Sequence, residues 1–138
     1  MKMTDINHIK NSSSKLPELE QLIKTLRFPP MASPIVSDGQ KLDIACGTCL
    51  FWTILDQPEI KVSRFFQSAG SNLPEHIHQQ KEFLIVYAGS MFLKLRDAEE
   101  IKIPAGDSVI IDIGNPHSKR FLEDSWYLAI TIPKTQDW

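Results

Sequence analysis

The sequence predicts an all-β protein, an antiparallel sandwich or barrel with one short helix near the N-terminus. From residue 33 onward, short apolar runs alternate with turn-forming residues, which is typical of short antiparallel strands. Only one stretch, before residue 33, has apolar residues at helical spacing. The 138 residues, of which 42% are hydrophobic, are enough for a single core. We therefore expect an N-terminal segment over residues 1–32 and one barrel domain over residues 33–138.

The N-terminal segment is predicted to hold a polar tail followed by the helix. Its apolar stripe consists of Leu16, Leu19, Ile23 and Leu26. Ser14 can cap the helix, and the prolines at 29 and 30 end it, because proline cannot continue a helix. We expect the helix to lie as a flap on the main body; the alternative is a helix that binds a partner.

Eight strands are predicted in the barrel domain. Each is a short apolar run, and the runs are separated by segments rich in Gly, Pro, Asp and Asn. The predicted strands are Thr48–Leu55, Ile60–Gln67, Glu82–Tyr87, Met91–Arg96, Glu100–Ile103, Ser108–Asp112, Ser118–Phe121 and Trp126–Ile132.

Charge and hydropathy exclude several classes of partner. The net charge is -2, and no run of Lys and Arg supplies the basic surface that phosphate binding needs. No apolar run approaches the roughly 20 residues of a membrane span. The first residues lack the apolar core of a signal peptide. We therefore expect a cytoplasmic protein that binds neither nucleic acid nor membrane.

Three of the four histidines indicate a metal site. His76 and His78 are separated by one residue, so on an extended chain their side chains point to the same face. Glu82 follows after a short turn, and His117 lies in a Pro-flanked turn downstream. Imidazole and carboxylate together suit a first-row divalent metal. The alternative is that these are packing or surface histidines that happen to cluster. The fourth histidine, His8, lies in the polar tail.

The spacing of these residues resembles the cupin family. The stretch Gly70–Gly89 reads G-x5-H-x-H-x3-E-x6-G and matches the first cupin signature at every position. In the second signature, G-x5-P-x-G-x2-H-x3-N, both glycines and the histidine match, whereas the proline and asparagine are replaced. The aligned residues are Gly106, Asp112, Gly114, His117 and Phe121. The resemblance covers residues 45 to about 133.

The resemblance implies a double-stranded β-helix, or jelly-roll barrel, which is often a homodimer and holds one metal ion. Carried over residue by residue, the metal ligands are His76, His78, Glu82 and His117. Three imidazoles and one carboxylate accept divalent Fe, Mn, Ni, Cu, Co or Zn, so the sequence does not name the metal. In an octahedral site, four protein ligands leave two positions for water, substrate or dioxygen.

Strand alternation predicts an apolar pocket around the metal. On the last strand, the bulkier alternate residues Trp126, Leu128 and Ile130 are expected to line the barrel interior, with Tyr127 and its alternates facing out or meeting a partner. The full expected substrate pocket comprises Phe65, Leu73, Leu84, Trp126, Leu128 and Ile130.

The two cysteines form a single CxxC, Cys46 to Cys49. A structural zinc site normally has four ligands, and no second CxxC completes one. A thioredoxin-like motif would open a helix, whereas an apolar strand follows here. We expect two thiols at a strand entrance; the alternative is a redox role or a reversible disulfide.

Three functions are compatible with this pattern. The first is a metal-dependent dioxygenase that acts on a small organic substrate in an apolar pocket. The second is a non-redox isomerase, lyase or decarboxylase of a small acid or sugar derivative, with Asp112, Glu75 or Glu123 available for proton transfer. The third is a non-enzymatic metal or small-molecule sensor with the cysteines as its redox partner. The sequence identifies no catalytic residue beyond the ligands.

Overall fold

The computed structural model describes residues 39–138, which form ten antiparallel β-strands and no helix. The strands are β1 (Gln40–Lys41), β2 (Cys49–Gln57), β3 (Ile60–Gln67), β4 (Asn72–His76), β5 (Lys81–Ala88), β6 (Ser90–Leu95), β7 (Ile101–Pro104), β8 (Ser108–Ile111), β9 (His117–Arg120) and β10 (Ser125–Ile132). The helix predicted before residue 33 lies outside the described residues. Within residues 39–138, nothing forms a helix that is long and apolar enough to cross a membrane.

The strands build two sheets that enclose one apolar core. The larger sheet has the order β1-β2-β3-β10-β5-β8, and the smaller has the order β4-β9-β6-β7. Both sheets contribute fully buried side chains, such as Leu84 and Val86 from β5 and Leu93 from β6. Two antiparallel sheets that face each other across a shared core confirm the predicted all-β barrel.

The inner face of the larger sheet is defined by the pairing of β5 with β10. Glu82 lies opposite Thr131, Leu84 opposite Ala129, and Val86 opposite Tyr127. Directly opposed residues of an antiparallel pair share a face, so these six side chains point toward the smaller sheet. Tyr127 and Ala129 accordingly belong to the core cluster.

This register shows that the predicted facing of the last strand was wrong. Trp126, Leu128 and Ile130 alternate with the inner set and therefore point to the outer face of the larger sheet. They are buried there, and the Trp126 ring stacks on Trp52 with 5.4 Å between ring centroids. Side-chain size did not identify the inward-facing residues, because both faces of β10 are apolar. The inner face carries the small Ala129 beside the polar site and the hydrogen-bonded Tyr127.

Gly89 makes the tight connection from β5 to β6. Its φ of +75° lies in the left-handed region that favours glycine. A Cβ at this position would lie 2.3 Å from Ser125 Oγ and 2.5 Å from the backbone oxygen of Asp124. The Ser125 hydroxyl also accepts a hydrogen bond from the Ser90 backbone N–H at 3.1 Å. The turn therefore requires glycine for both conformation and space.

Candidate metal centre

Strands β4 and β9 bring His76 and His117 together. His76, the last residue of β4, pairs with His117, the first residue of β9, and their ring centroids are 4.4 Å apart. His78 follows two residues after β4 ends, and its ring centroid lies 5.2 Å from that of His117. One ring nitrogen from each of the three lies within 4.8 Å of the others. The three histidines are thus positioned to bind one metal ion.

Backbone carbonyls orient two of the three imidazoles. Nδ1 of His76 lies 2.8 Å from the carbonyl oxygen of Pro74, and Nδ1 of His117 lies 2.8 Å from that of Asn115. A carbonyl oxygen only accepts hydrogen bonds, so Nδ1 is the donor in each pair. The Nε2 lone pair of each ring is therefore left for a metal, as in known metal–histidine sites.

Glu82 on β5 completes the set from the opposite sheet. It is fully buried, and its Oε1 lies 3.4 Å from His78 Nε2 and 3.3 Å from His117 Nε2. Glu82 Oε1, His117 Nε2 and both His78 ring nitrogens are buried without a hydrogen-bond partner within the described residues. Buried polar atoms are normally paired. A metal ion at this point would satisfy Glu82 Oε1 and the two Nε2 atoms, so the residues fit one.

Lys119 is a member of the site that the sequence analysis missed. It follows His117 by two residues on β9, so its side chain points to the same face. Its Nζ is buried, lies 3.5 Å from Glu82 Oε2, and sits 5.6 Å from the ring centroid of Tyr127. The signal that could have found it is the same two-residue alternation that links His76 to His78.

The surroundings set the charge of the acid and of one imidazole. Burial alone would raise the pKa of Glu82, but the positive charge of Lys119 beside it holds this pKa well below its usual value. The carboxylate is therefore ionised. Burial, followed by the charge of Lys119, lowers the pKa of His76 to about 4. The His76 imidazole is consequently neutral at pH 7, the form that ligates metals.

Aromatic rings form a wall beside the site. Phe65 stacks on Tyr127 with 5.1 Å between centroids, and Tyr127 stacks on Phe121 at 5.6 Å. The Trp138 ring stands edge-on to Phe65 at 5.4 Å and to His78 at 5.8 Å, and its Nε1 is buried without a partner in the described chain. Lys61 donates a hydrogen bond to the Trp138 backbone oxygen.

The expected pocket residues divide into two groups. Phe65, Leu73 and Leu84 lie in the buried core cluster between the sheets. Trp126, Leu128 and Ile130 lie on the outer face of the larger sheet, as described above. Phe121, Tyr127 and Trp138 are neighbours of the site that were not predicted from the sequence. Phe121 occupies the asparagine position of the second cupin signature, Tyr127 lies on the face of β10 that was predicted to point outward, and no motif marks Trp138.

The acids considered for proton transfer pair elsewhere. The exposed Asp112 lies 3.1 Å from Lys81 Nζ. The exposed Glu75 lies 2.7 Å from Arg96. Glu123 accepts a hydrogen bond from the Ser90 hydroxyl at 3.2 Å.

The two cysteines are free thiols in different environments. Cys46 is exposed, whereas Cys49 begins β2 and is buried. Burial, partly offset by Lys119, raises the pKa of Cys49 to about 12. The reactive form of cysteine is the thiolate, so Cys49 is a core residue with little nucleophilic character at neutral pH.

Comparison with known proteins agrees with this fold. The family model described as a cupin domain matches residues 66–130, a range that includes all four predicted ligands. An RmlC-like cupin from Shewanella frigidimarina NCIMB 400 superposes with a TM-score of 0.64 at 16% identity, covering 77% of this chain and 94% of that one. No curated protein is similar enough in sequence to count as a match.

Two further solved structures share the fold. One is the polyketide cyclase RemF from Streptomyces resistomycificus, with a TM-score of 0.61, 19% identity, and coverage of 75% of this chain and 80% of that one. The other is described as a predicted oxalate decarboxylase from Thermotoga maritima, with a TM-score of 0.61, 20% identity, and coverage of 72% and 96%. Residues 66–130 of this chain form a cupin domain, as the spacing of its histidines predicted.

Proposed function

We propose that the protein is a metal-dependent dioxygenase that acts on a small organic substrate. The proposed ligands of one divalent transition metal are His76, His78, Glu82 and His117. One observation carries the metal site: three imidazoles converge within 4.8 Å, while Glu82 Oε1, His117 Nε2 and His78 Nε2 are buried and unpartnered in the described chain.

The protein's contribution to such a site is orientation and charge. When bound, the metal would supply a Lewis acid and a redox centre next to an open coordination position. The carbonyls of Pro74 and Asn115 hold two imidazoles in the ligating tautomer. Lys119 engages Glu82 Oε2 at 3.5 Å, which leaves Oε1 directed at the histidines. The ligands are thus preorganised by groups that do not themselves bind the metal.

The apolar surroundings support oxygen chemistry. Phe65, Phe121 and Tyr127 are buried and stack into a continuous wall in the core cluster. A site enclosed by aromatic and aliphatic side chains excludes water and protects a reactive species from side reactions.

Oxygen consumption tests this proposal. Protein loaded anaerobically with Fe(II) is mixed with each member of a panel of small carboxylates and aromatic compounds, and dissolved oxygen is recorded with an electrode. We expect at least one compound to stimulate oxygen uptake, and neither Zn(II)-loaded protein nor His117→Ala to respond. If no compound stimulates uptake by the Fe(II)-loaded protein, the dioxygenase proposal is wrong.

A non-redox lyase, isomerase or decarboxylase of a small acid is the second candidate. The observation that favours it is Lys119, a buried amine next to the proposed metal, because such reactions use a proton-transferring or charge-stabilising group besides the ligands. Two solved structures with this fold are described as a polyketide cyclase and a predicted oxalate decarboxylase. For this candidate, Mn(II)- or Zn(II)-loaded protein would turn over its substrate with no oxygen uptake.

A redox sensor built on the cysteines has less support, because burial raises the pKa of Cys49 to about 12. The expected homodimer and the cytoplasmic location stay predictions.

A further inference from the structure

The two carboxylate oxygens of Glu82 face different partners, and Lys119 contacts one of them. Glu82 Oε1 faces the histidines, at 3.3 Å from His117 Nε2, while Oε2 faces Lys119 Nζ at 3.5 Å. Both the lysine and the glutamate are buried, with exposed fractions of 3% and 0%. The ion pair is therefore part of the site and is shielded from solvent.

This ion pair changes the charge that a bound metal would bring. Imidazole ligands are neutral, and the positive charge of Lys119 cancels the negative charge of Glu82. A divalent ion held by these residues would leave two positive charges uncompensated in a buried place. Buried charge without a counterion is unfavourable, so an anionic ligand at the open coordination positions is favoured.

The ammonium group also keeps hydrogen-bonding capacity. An ammonium has three N–H donors, and the Glu82 carboxylate takes one. The face of the Tyr127 ring, 5.6 Å from Nζ, accommodates the cation without a conventional acceptor. A donor therefore remains for an acceptor atom of a molecule bound at the metal.

We propose that Lys119 determines specificity by making the site select a small carboxylate over a neutral molecule of the same shape. The inference rests on the proposed metal centre and adds the substrate class to it. The carboxylate would compensate the site's charge and accept a hydrogen bond from Lys119.

Benzoate and benzamide are matched probes, because they share a ring and a planar head group but differ in charge. Both are titrated into Co(II)-loaded protein by calorimetry, with cobalt absorption as a second readout and bound cobalt measured for every variant. We expect benzoate to bind wild-type protein at least about tenfold more tightly than benzamide, the scale of one charge-assisted hydrogen bond. We expect Lys119→Met to lose this preference and Lys119→Arg to keep most of it.

Lys102→Met is the control, because Lys102 is an exposed lysine on β7 and lies over the Phe92 ring. It should bind both probes as wild-type protein does. Equal binding of the probes to wild-type protein, binding of neither, or an unchanged benzoate preference in Lys119→Met would overturn the inference. If Lys119→Met fails to fold or to bind cobalt, the wild-type comparison and Lys119→Arg decide. Failure of wild-type protein to bind cobalt would instead contradict the metal centre itself.

Discussion

Glu82 illustrates how far single residues can be assigned from spacing alone. Its position after His76 and His78 marked it as a ligand candidate. Its ionisation, in contrast, depends on Lys119, which reaches it from a strand 37 residues away in sequence. A motif identifies which atoms can bind a metal, but their protonation state depends on neighbours that pairing brings together. Lys119 was therefore outside the sequence prediction, although its alternation with His117 placed it on the same face.

His76 should make the metal-free protein less stable as the pH falls. Its folded-state pKa is about 4, below the ordinary value of 6.5. Between these values the unfolded chain binds a proton at this residue and the folded chain does not, so the free energy of unfolding decreases as the pH falls from 6.5 toward 4. Urea unfolding of metal-free protein at pH 7 and at pH 4.5 measures the loss.

The variant His76→Gln serves as the reference for this prediction, because it keeps a polar side chain and removes the titrating group. We expect the wild-type protein to lose more unfolding free energy over this pH interval than His76→Gln. The partial exposure of His76 reduces the size of the difference but not its sign. An identical pH dependence in the two proteins would show that this imidazole is not held neutral.

At the scale of elements, all eight predicted strands correspond to observed ones, and β3 has the predicted bounds. Strands β1 and β4 were not predicted. Strand β4 is short, contains Pro74 and lies at the edge of the smaller sheet, where a missing backbone donor is tolerated. Its apolar pattern was too weak to predict a strand, although the spacing of His76 and His78 had already implied an extended chain there.

The turn at Gly89 should tolerate no side chain. Alanine at this position would have to adopt the left-handed conformation, which costs about 1–2 kcal/mol. Its Cβ would also clash with Ser125 Oγ and the Asp124 backbone oxygen, which costs about 1–3 kcal/mol more. We therefore expect Gly89→Ala to lower the free energy of unfolding by about 3 kcal/mol, measured by urea denaturation.

Gly70→Ala is the matched control for this turn. Gly70 has a similar φ of +82°, but an added Cβ there meets nothing within 4 Å. Gly70→Ala should lower the free energy of unfolding only by the conformational cost of about 1–2 kcal/mol. Equal losses in the two variants would mean that the close approach of Ser125 to the turn does not matter for stability.

At the scale of the whole molecule, the sequence predicted the jelly-roll fold and the residues that converge at the candidate metal centre, but not the wall around them. The candidate ligands lie in two local signatures, one with His76, His78 and Glu82 and one with His117, so spacing within each signature was enough. The wall is assembled from β3, β10, the residue after β9 and the segment after β10, and only the sheet register decides which faces meet. On β10 both faces are apolar, so hydrophobicity could not distinguish the inward Tyr127 from the outward Trp126.

The central claim is that the histidine cluster holds a metal, and the metal content of purified protein tests it most directly. Elemental analysis is made on protein purified without added metal, for wild type, His76→Ala, His117→Ala and His8→Ala, the last being a histidine from the predicted N-terminal tail. We expect about one transition-metal ion per chain in wild type and in His8→Ala, and clearly less in the two site variants. A wild-type protein without metal, or unchanged metal content in both His76→Ala and His117→Ala, would contradict the account.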